Sequence, residues 1–541
     1  MTATQAPAPP TPAVAEPAGN DGFGRILRAE WTKFHTVRGW LIGLLVGAVL
    51  MVFLGVFLAN AQIGCQNNGV QETGPACLPK VPIGPGGEAV QDNYYFVRRS
   101  LTGDGSITAR LTGLATRLQG NSGPAHPVGG PLGPAGQRVT LPWSKGGIMI
   151  TASTKQGAAY AAMLATGSNG VRMQYNYTGD IAGLPGQVSA AAPRWLRLVR
   201  SGDTVTGYDS INGRVWITVG TVTLSQLPRT IQIGLFATSP TFVRVSNFFG
   251  GANINASPTT TTAVINDVRL TGSTPLASWT GIDVGGSSQP GPPDIGGYHQ
   301  AGGAFTVTGA GDIAPLEPGP GSNVPTATIS QNLLGAFAAL IAFVVVACTF
   351  MTSEYRRGLI RTTLAAAPRR GQVLAAKAIV TGLATFAVGL VAVLFCLTLG
   401  VAKDRREGLF VLPVSPLAEV RVIVGTAAML GLMAVLAVCI AAILRRSAIT
   451  ITFGIVAIVL PFLFSVIGVF PASVGDWLLR LAPAAGFAIQ QSIPHYAQVA
   501  SISAPGGGYY PLSPWAGFAV LLVWVAAAYV LALVLLRRRD A

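Results

Sequence analysis

Six apolar runs constrain this chain more than any other feature. They are Trp40–Ala59, Leu333–Thr352, Ile379–Gly400, Val422–Leu444, Ala448–Phe470 and Pro514–Leu536, and none contains Asp, Glu, Lys, Arg or His. A helix of about 20 residues is about 30 Å long, the thickness of a bilayer's hydrocarbon core. The sequence therefore predicts six spans. A cleaved secretory signal fits the first run poorly, because its length exceeds an apolar signal core of about 7–15 residues. A long lead also precedes it. Pro461 predicts a kink in the fifth span, which membrane helices tolerate.

Charge sets the expected orientation. Only 11% of the 541 residues are charged, yet the net charge is +15. With the N terminus inside, the short inner segments hold Arg25, Arg28, Lys33 and Arg38, then Arg356, Arg357, Arg361, Arg369, Arg370 and Lys377. Arg445, Arg446 and Arg537–Arg539 complete that set. The short outer loops hold Lys403, Arg405, Arg406, Arg421 and Arg480, partly offset by Asp404, Glu407 and Glu419. Positive residues concentrate on the cytoplasmic side of membrane proteins. Both termini are thus expected in the cytoplasm of a multi-pass protein, and the basicity is topological rather than a sign of nucleic-acid binding.

Residues 1–22 are Pro- and Ala-rich and are expected to be a disordered tail. Residues 23–60 then hold an interfacial helix and the first span. Phe23, Ile26, Leu27, Trp31 and Phe34 recur at helical spacing, which predicts an amphipathic helix lying among lipid headgroups.

Residues 61–330 are too many for a loop and predict a folded extracytoplasmic domain. Trp195–Arg200, Thr204–Tyr208 and Arg214–Val219 read as strands joined by a Ser201–Asp203 turn and an Asn212-Gly213 hairpin turn. Ile231–Phe236 and Val243–Phe248 are expected to extend that meander into an antiparallel β-sandwich. Gly/Pro-rich linkers flank it near 285–297 and 315–325. Cys65 and Cys77 are the two cysteines on the outer side and form a candidate disulfide, with free thiols as the alternative. Trp195, Tyr208 and Trp216 are candidate stacking platforms for an extracellular glycan, or ordinary sandwich core.

Covalent chemistry finds little support. His35, His126, His299 and His495 share no metal-ligand spacing, and the chain contains neither a phosphate-binding Gly-x-x-x-x-Gly-Lys-Ser/Thr loop nor a Gly-x-Ser-x-Gly elbow. No catalytic residue, cofactor or metal is expected.

Residues 331–541 form the five-span remainder, and its link 354–377 is the most informative stretch. It reads Glu354-Tyr-Arg-Arg-Gly358-Leu-Ile-Arg361-Thr-Thr-Leu364, then three alanines and Pro368-Arg369-Arg370. A short helix fits before Pro368. This Glu-x-x-x-Gly-x-x-Arg-x-x-Leu-x-x-x-Pro-x-Arg pattern resembles the link between spans 2 and 3 in bacterial type-2 permeases of the ATP-binding-cassette (ABC) transporters. Glu30-Trp-Thr-Lys33 is similar to the helix that precedes their first span. The resemblance implies a membrane subunit of the bacterial cytoplasmic membrane, paired with a second permease or a copy of itself and driven by a separate ATPase. The link is accordingly expected to couple to the ATPase through Glu354, Arg356, Arg357, Leu359, Ile360, Arg361 and Leu364, with Glu354 paired to Arg357 or Arg361. The alternative is a membrane-surface loop whose cations only set topology. The large insertion departs from the family's usual short loop. Its Trp195–Phe236 stretch resembles concanavalin-type sandwiches found beside glycan-active proteins.

The expected fold is an α-helical polytopic membrane protein with an extracytoplasmic antiparallel β-sandwich between spans 1 and 2. The expected function is ATP-driven export. The alternative is a membrane-anchored cell-surface glycan-binding protein.

Overall fold

The computed structural model describes residues 22–57, 65–67, 70–72, 81–119, 135–248, 251–273, 278–286, 296–316, 326–356, 370–467, 472–499 and 508–538. The expectations for residues 1–21, Cys77 and the 357–369 link lie outside those residues.

Among the described residues, six helical stretches are long and apolar enough to cross a membrane: Arg38–Phe57, Gln331–Tyr355, Arg370–Arg406, Pro416–Leu444, Ser447–Ser465 and Pro514–Arg538. The helices run α1 (Phe23–Thr36), α2 (Arg38–Phe57), α3 (Ala336–Arg356), α4 (Arg370–Arg406), α5 (Pro416–Leu444) and α6 (Ser447–Gly454). They continue as α7 (Leu460–Ile467), α8 (Ala472–Leu481) and α9 (Pro514–Arg538). A π turn at Ile455–Val459 joins α6 to α7 directly before Pro461. Proline lacks an N–H, so the ladder loosens there. Along α2, Gly43 and Gly47 let α3 approach closely; a Cβ on Gly47 would lie 2.7 Å from Phe343. Small residues serve this packing inside lipid, where burial between helices adds little driving force.

The strands of residues 65–327 form a mostly antiparallel region built around one 25-residue strand. In chain order its main strands are β1 (Val90–Asp92), β2 (Tyr94–Leu118), β3 (Lys145–Thr151), β4 (Tyr160–Thr166), β5 (Val171–Tyr175) and β6 (Gly179–Ala182). Next come β7 (Arg194–Ser201), β8 (Thr204–Ser210), β9 (Ile217–Thr223) and β10 (Thr230–Thr238). The last four are β11 (Thr259–Ser273), β12 (Thr280–Val284), β13 (Ala304–Gly309) and β14 (Ile313–Pro315). The first half of β2 pairs with β10 at Tyr95–Thr102, and the second half pairs with β7 at Gly105–Leu111. Gly103, with φ +73°, sits at the change of partner. One layer therefore holds β10, β3, β4, β5 and β6, and the other holds β7, β8, β9 and β11.

Between the layers, Ile148, Ile150, Met163 and Met173 meet Leu196, Leu198, Val205 and Val222. The first layer is buried on its outer face too, where Phe96, Met149, Tyr160, Leu164 and Phe236 pack with Val90 and Ile313. Every residue of β3 and β4 is accordingly buried. Such strands read as continuous apolar runs rather than as alternation.

Two sequence expectations change here. The strand expected from Arg214 begins at Ile217, because the side chain of Asn212 accepts from the N–H of Arg214 and Val215 and closes a longer loop. The stretch around Ile231 does not extend the meander beside β9; it is the central strand β10, between β2 and β3. Phe242–Phe248 forms a separate hairpin with Gly251–Ser257.

Sandwich and helices are joined by more than their connecting chain. Thr326–Ala327 (β15) pairs in parallel with Phe410–Val411 (β16), after α4. Ala89 and Leu316 pack with Leu412, Ile493 and Tyr509. Gln498 donates to the backbone oxygens of Tyr177 and Thr178 at 3.0 and 3.1 Å.

Candidate coupling site

At the end of the bundle where α3 stops and α4 starts, α1 lies against both. Its apolar stripe is interrupted by Glu30, four residues after Ile26 and four before Phe34, so a helical turn places all three on one face. Ile26 packs near Val373 and Tyr355. Phe34 is buried and meets Phe350 edge-on at 5.2 Å, while Trp40 meets the same ring at 4.9 Å. This apolar seat carries Glu30 into the protein, where it is 1% exposed.

Lys377 meets it there. This side chain is fully buried and points its Nζ at Glu30 Oε2 (2.6 Å) and Glu354 Oε1 (2.7 Å). The same ammonium lies 4.5 Å from the centre of the Phe350 ring. Its three N–H groups thus face two carboxylates and an aromatic face, the kind of complete solvation a buried cation requires. Lys33 closes the group from the outside, at 2.9 Å from Glu30 and 3.1 Å from Glu354. Burial works against the charge on Lys33, but attraction and hydrogen bonding to Glu30 and Glu354 outweigh it and hold the ammonium above its ordinary pKa. Two cations and two anions make the cluster neutral.

The cluster holds three elements that are distant in the chain: α1, the end of α3 and the first turns of α4. Two further contacts brace them. Arg445, in the left-handed region after α5, places its guanidinium 5.3 Å from the Tyr355 ring centre. Arg370 donates to the backbone oxygen of Leu536 at the end of α9, at 2.9 Å. Both flanks of the 357–369 link are therefore fastened. Just beyond Lys377, an apolar cavity of about 500 Å³ lies between α4, α5 and α9, lined by Ala378, Ile379, Gly382, Phe386, Gly431 and Tyr529 among others.

The sequence-named residues distribute as follows. Glu354 is buried and pairs with Lys33 and Lys377, while Arg357 and Arg361, the partners expected from its own link, lie outside the described residues. The start of α4 brings Lys377 directly beside it. Arg356 ends α3, while Arg357, Leu359, Ile360, Arg361 and Leu364 lie outside the described residues. In α1, Ile26 and Leu27 pack on the protein, Phe23 is half-buried, and Trp31 is 47% exposed. The Trp195 and Trp216 rings have arginines over them, Arg110 at 5.9 Å and Arg197 at 4.0 Å, and Tyr208 shares that face. Cys65 begins a short strand, but its candidate partner Cys77 lies outside the described residues. Sequence reasoning missed the joint role of Glu30, Lys33 and Lys377. A carboxylate on an apolar stripe and a lysine one turn before an apolar run were the available signals.

Among the described residues, no group of three His, Cys, Asp or Glu side chains is placed to hold a metal ion. The profile described as "ABC-2 family transporter protein" matches residues 155–541. No curated protein matches the chain in sequence. Among solved structures, scytalido-glutamic peptidase with a transition state analog inhibitor is 8% identical, covering 42% of this chain and 100% of its own, with a TM-score of 0.24. A GH43 protein, BlXynB, from Bacillus licheniformis is 16% identical over 25% of this chain and 24% of its own, with a TM-score of 0.17. A functionally unknown protein from Saccharomyces cerevisiae is 12% identical over 40% and 95%, with a TM-score of 0.19. Likenesses this slight carry no statement about function.

Proposed function

Because the chain belongs to the ABC-2 transporter family, matched over residues 155–541, we propose that it is the permease subunit of an exporter driven by a separate ATPase. In this reading both termini and the 354–377 link face the cytoplasm, and the sandwich stands outside between spans 1 and 2. The permease works as a pair, either two copies or two related chains. Arginines on the flanks of the link and at the ends of α5 and α9 support this orientation.

The observation that carries the coupling role is the buried Glu30–Lys377–Glu354 group. A link that transmits force needs stiff attachments. Here a push on residues 357–369 is delivered to α3 and α4 through Glu354 and Lys377, and to α1 through Glu30. Closure of the ATPase would then move two spans and the interfacial helix as one body, opening a path elsewhere in the bundle. No covalent step is assigned to this chain.

Leu359 and Leu364 supply the apolar anchors of the link in this reading, and Arg356, Arg357 and Arg361 orient it. Replacing Leu359 and Leu364 by Asp leaves the cations intact, so membrane insertion is expected at wild-type level. ATPase co-purification and ATP-dependent transport are expected to fall at least about tenfold, the loss of about 1.4 kcal/mol of docking energy. Wild-type co-purification in that variant overturns the assignment.

A further inference from the structure

The two outer faces of the sandwich differ. The outer face of the first layer is covered, and its neighbour Tyr177 is held by Gln498 of the helical region. The outer face of the second layer is open and polar. Across β11, β2, β7, β8 and β9 the register aligns Arg269, Thr108, Arg197, Tyr208 and Thr218 in one row. The neighbouring row on one side contains Arg110 and Trp195. On the other side, hydroxyls pair across strands, Ser106 with Thr271 at 2.8 Å and Thr206 with Thr221 at 3.1 Å.

The arginines on this face are held in place. Arg197 lies over Trp216 at 4.0 Å and donates from Nε to Thr108 Oγ1 at 3.0 Å. Arg110 lies over Trp195 at 5.9 Å and is 3.8 Å from Asp267, with both of these charges well exposed. Arg214 and Arg269 are exposed. A guanidinium stacked on a ring keeps its edge free to meet a carboxylate or phosphate in two parallel hydrogen bonds. The tryptophans here serve as seats for cations, and Gly213 packs against the Trp195 ring as well. Two of the three candidate stacking rings therefore already carry a cation.

We propose that this face binds an anionic polysaccharide, a polymer whose carboxylate or phosphate groups repeat along the chain. Arg269 and Arg197 stand two strands apart, which is about 9.5 Å, and so suit charges repeated along a polymer. The hydroxyl rows offer partners for sugar hydroxyls. The face lies on the layer opposite the one fastened to the helices, which suits a long chain rather than a bilayer. Biological access rests on the proposed placement of the sandwich outside the membrane.

The test uses the purified full-length chain in detergent, immobilised and exposed to polygalacturonate, to a phosphomannan and to neutral dextran. One or both anionic polymers are expected to bind, thereby separating carboxylate from phosphate recognition, and dextran is not. The double variant R197Q/R269Q is expected to weaken binding at least about tenfold. Lys155, in the connection between β3 and β4, and Arg229, directly before β10, are exposed outside the proposed row, and K155Q/R229Q, with the same change in charge, stays at wild-type affinity. If the first double variant does not fold, Arg214→Gln in the exposed loop serves instead, with a loss of about threefold expected. The proposal is overturned by equal binding of dextran, by no binding of either polyanion, by equal losses in the two double variants, or by phosphatidylglycerol vesicles displacing the polymer. A membrane-impermeant thiol reagent applied to intact cells carrying Ser168→Cys reads the placement separately, so a misplaced sandwich and a face that does not bind are distinguishable.

Discussion

Lys145 in the sandwich and Lys377 in the helical bundle are both fully buried, yet they are built into the protein in different ways. Lys145 has a single carboxylate, Asp312 at 2.7 Å, and one backbone oxygen, Ile313 at 2.6 Å. Both acceptors lie where β14 pairs with β1, over the covered outer face of the first layer. Lys377 instead holds two carboxylates from two other helices, with Lys33 as a second cation at the rim. The first arrangement closes a domain at one point. The second fastens three separate elements to each other, and its rim cation is 41% exposed. A buried ion pair is weak evidence of stability in itself, so the lesson lies in connectivity: Lys145 secures one fold, whereas Lys377 secures three helices to one another.

The most severe way to probe that contrast is to remove each ammonium. Lys377→Met leaves Glu30 and Glu354 buried with only Lys33, and breaking a buried pair in this way costs about 3–5 kcal/mol. A large fall in the thermal transition of the full chain is expected, together with loss of ATPase co-purification. Lys145→Met leaves one buried carboxylate and is expected to destabilise the sandwich while ATPase co-purification survives in the chain that remains folded. Equal loss of co-purification in both variants, at matched amounts of folded protein, breaks the comparison. Adding Glu30→Gln and Glu354→Gln to the Lys377→Met variant should recover stability but not the coupling geometry, which separates charge burial from mechanical attachment.

How far the sequence could reveal these features depends on whether the signal was local. The six spans were legible because each is one uninterrupted apolar run, and the π turn before Pro461 follows from one residue's missing N–H. Strands such as Arg194–Ser201 were legible through alternation. The 25-residue strand β2 was not: Gly103, Asp104 and Gly105 interrupt its pattern, yet neighbours far along the chain pair with both halves. The Glu30–Glu354–Lys377 group was hidden for a related reason. Its bonded members are 23 to 347 residues apart, and the positive-inside pattern already explained Lys377 as one more cytoplasmic cation. Burial turns a topology signal into a structural contact, and no local pattern reports it.

Asp92 sharpens the contrast from the sandwich side. It lies on β1, beside the strand that carries Ile313, and is 3% exposed. Tyr177 Oη and the Gly157 N–H donate to the same carboxylate oxygen, at 2.7 and 2.8 Å. These are neutral donors, with the buried Tyr94 and Tyr160 nearby and Lys145 engaged by Asp312. Burial pushes Asp92 up to about 7, with the two hydrogen bonds only partly opposing it. A carboxyl whose folded pKa exceeds its unfolded value of about 3.9 binds more protons when folded between those values. Its contribution is therefore complete at low pH and is lost as pH rises from about 4 to 7, by up to about 4 kcal/mol. Asn at this position can accept both hydrogen bonds without ionising. The thermal transition of Asp92→Asn is expected to vary less than wild type between about pH 5 and 8, and an unchanged slope removes Asp92 as the source. No equivalent uncompensated carboxylate enters the matched cluster around Lys377.

The smallest effect is expected at Lys33, and it tests whether the rim of that cluster is a lock or a screen. Lys33 contacts Glu30 and Glu354 as Lys377 does, at 2.9 and 3.1 Å, but water reaches it. An ion pair exposed on both sides contributes about 0–1 kcal/mol, because solvent screens the attraction and ordering a long side chain offsets much of it. Here only the ammonium is exposed and both carboxylates are buried, so the loss lies above that range and below that of Lys377→Met. Lys33→Gln keeps a donor near both carboxylates while Lys377 continues to neutralise one of them. A thermal shift of only a few degrees is therefore expected, and added salt should shrink the difference from wild type, since screening acts on the exposed partner first. The interior contact of Lys377 should show little of that salt dependence. A loss at Lys33 as large as that of Lys377→Met, persisting in high salt, would show that both cations lock the three helices together and that exposure does not divide their roles.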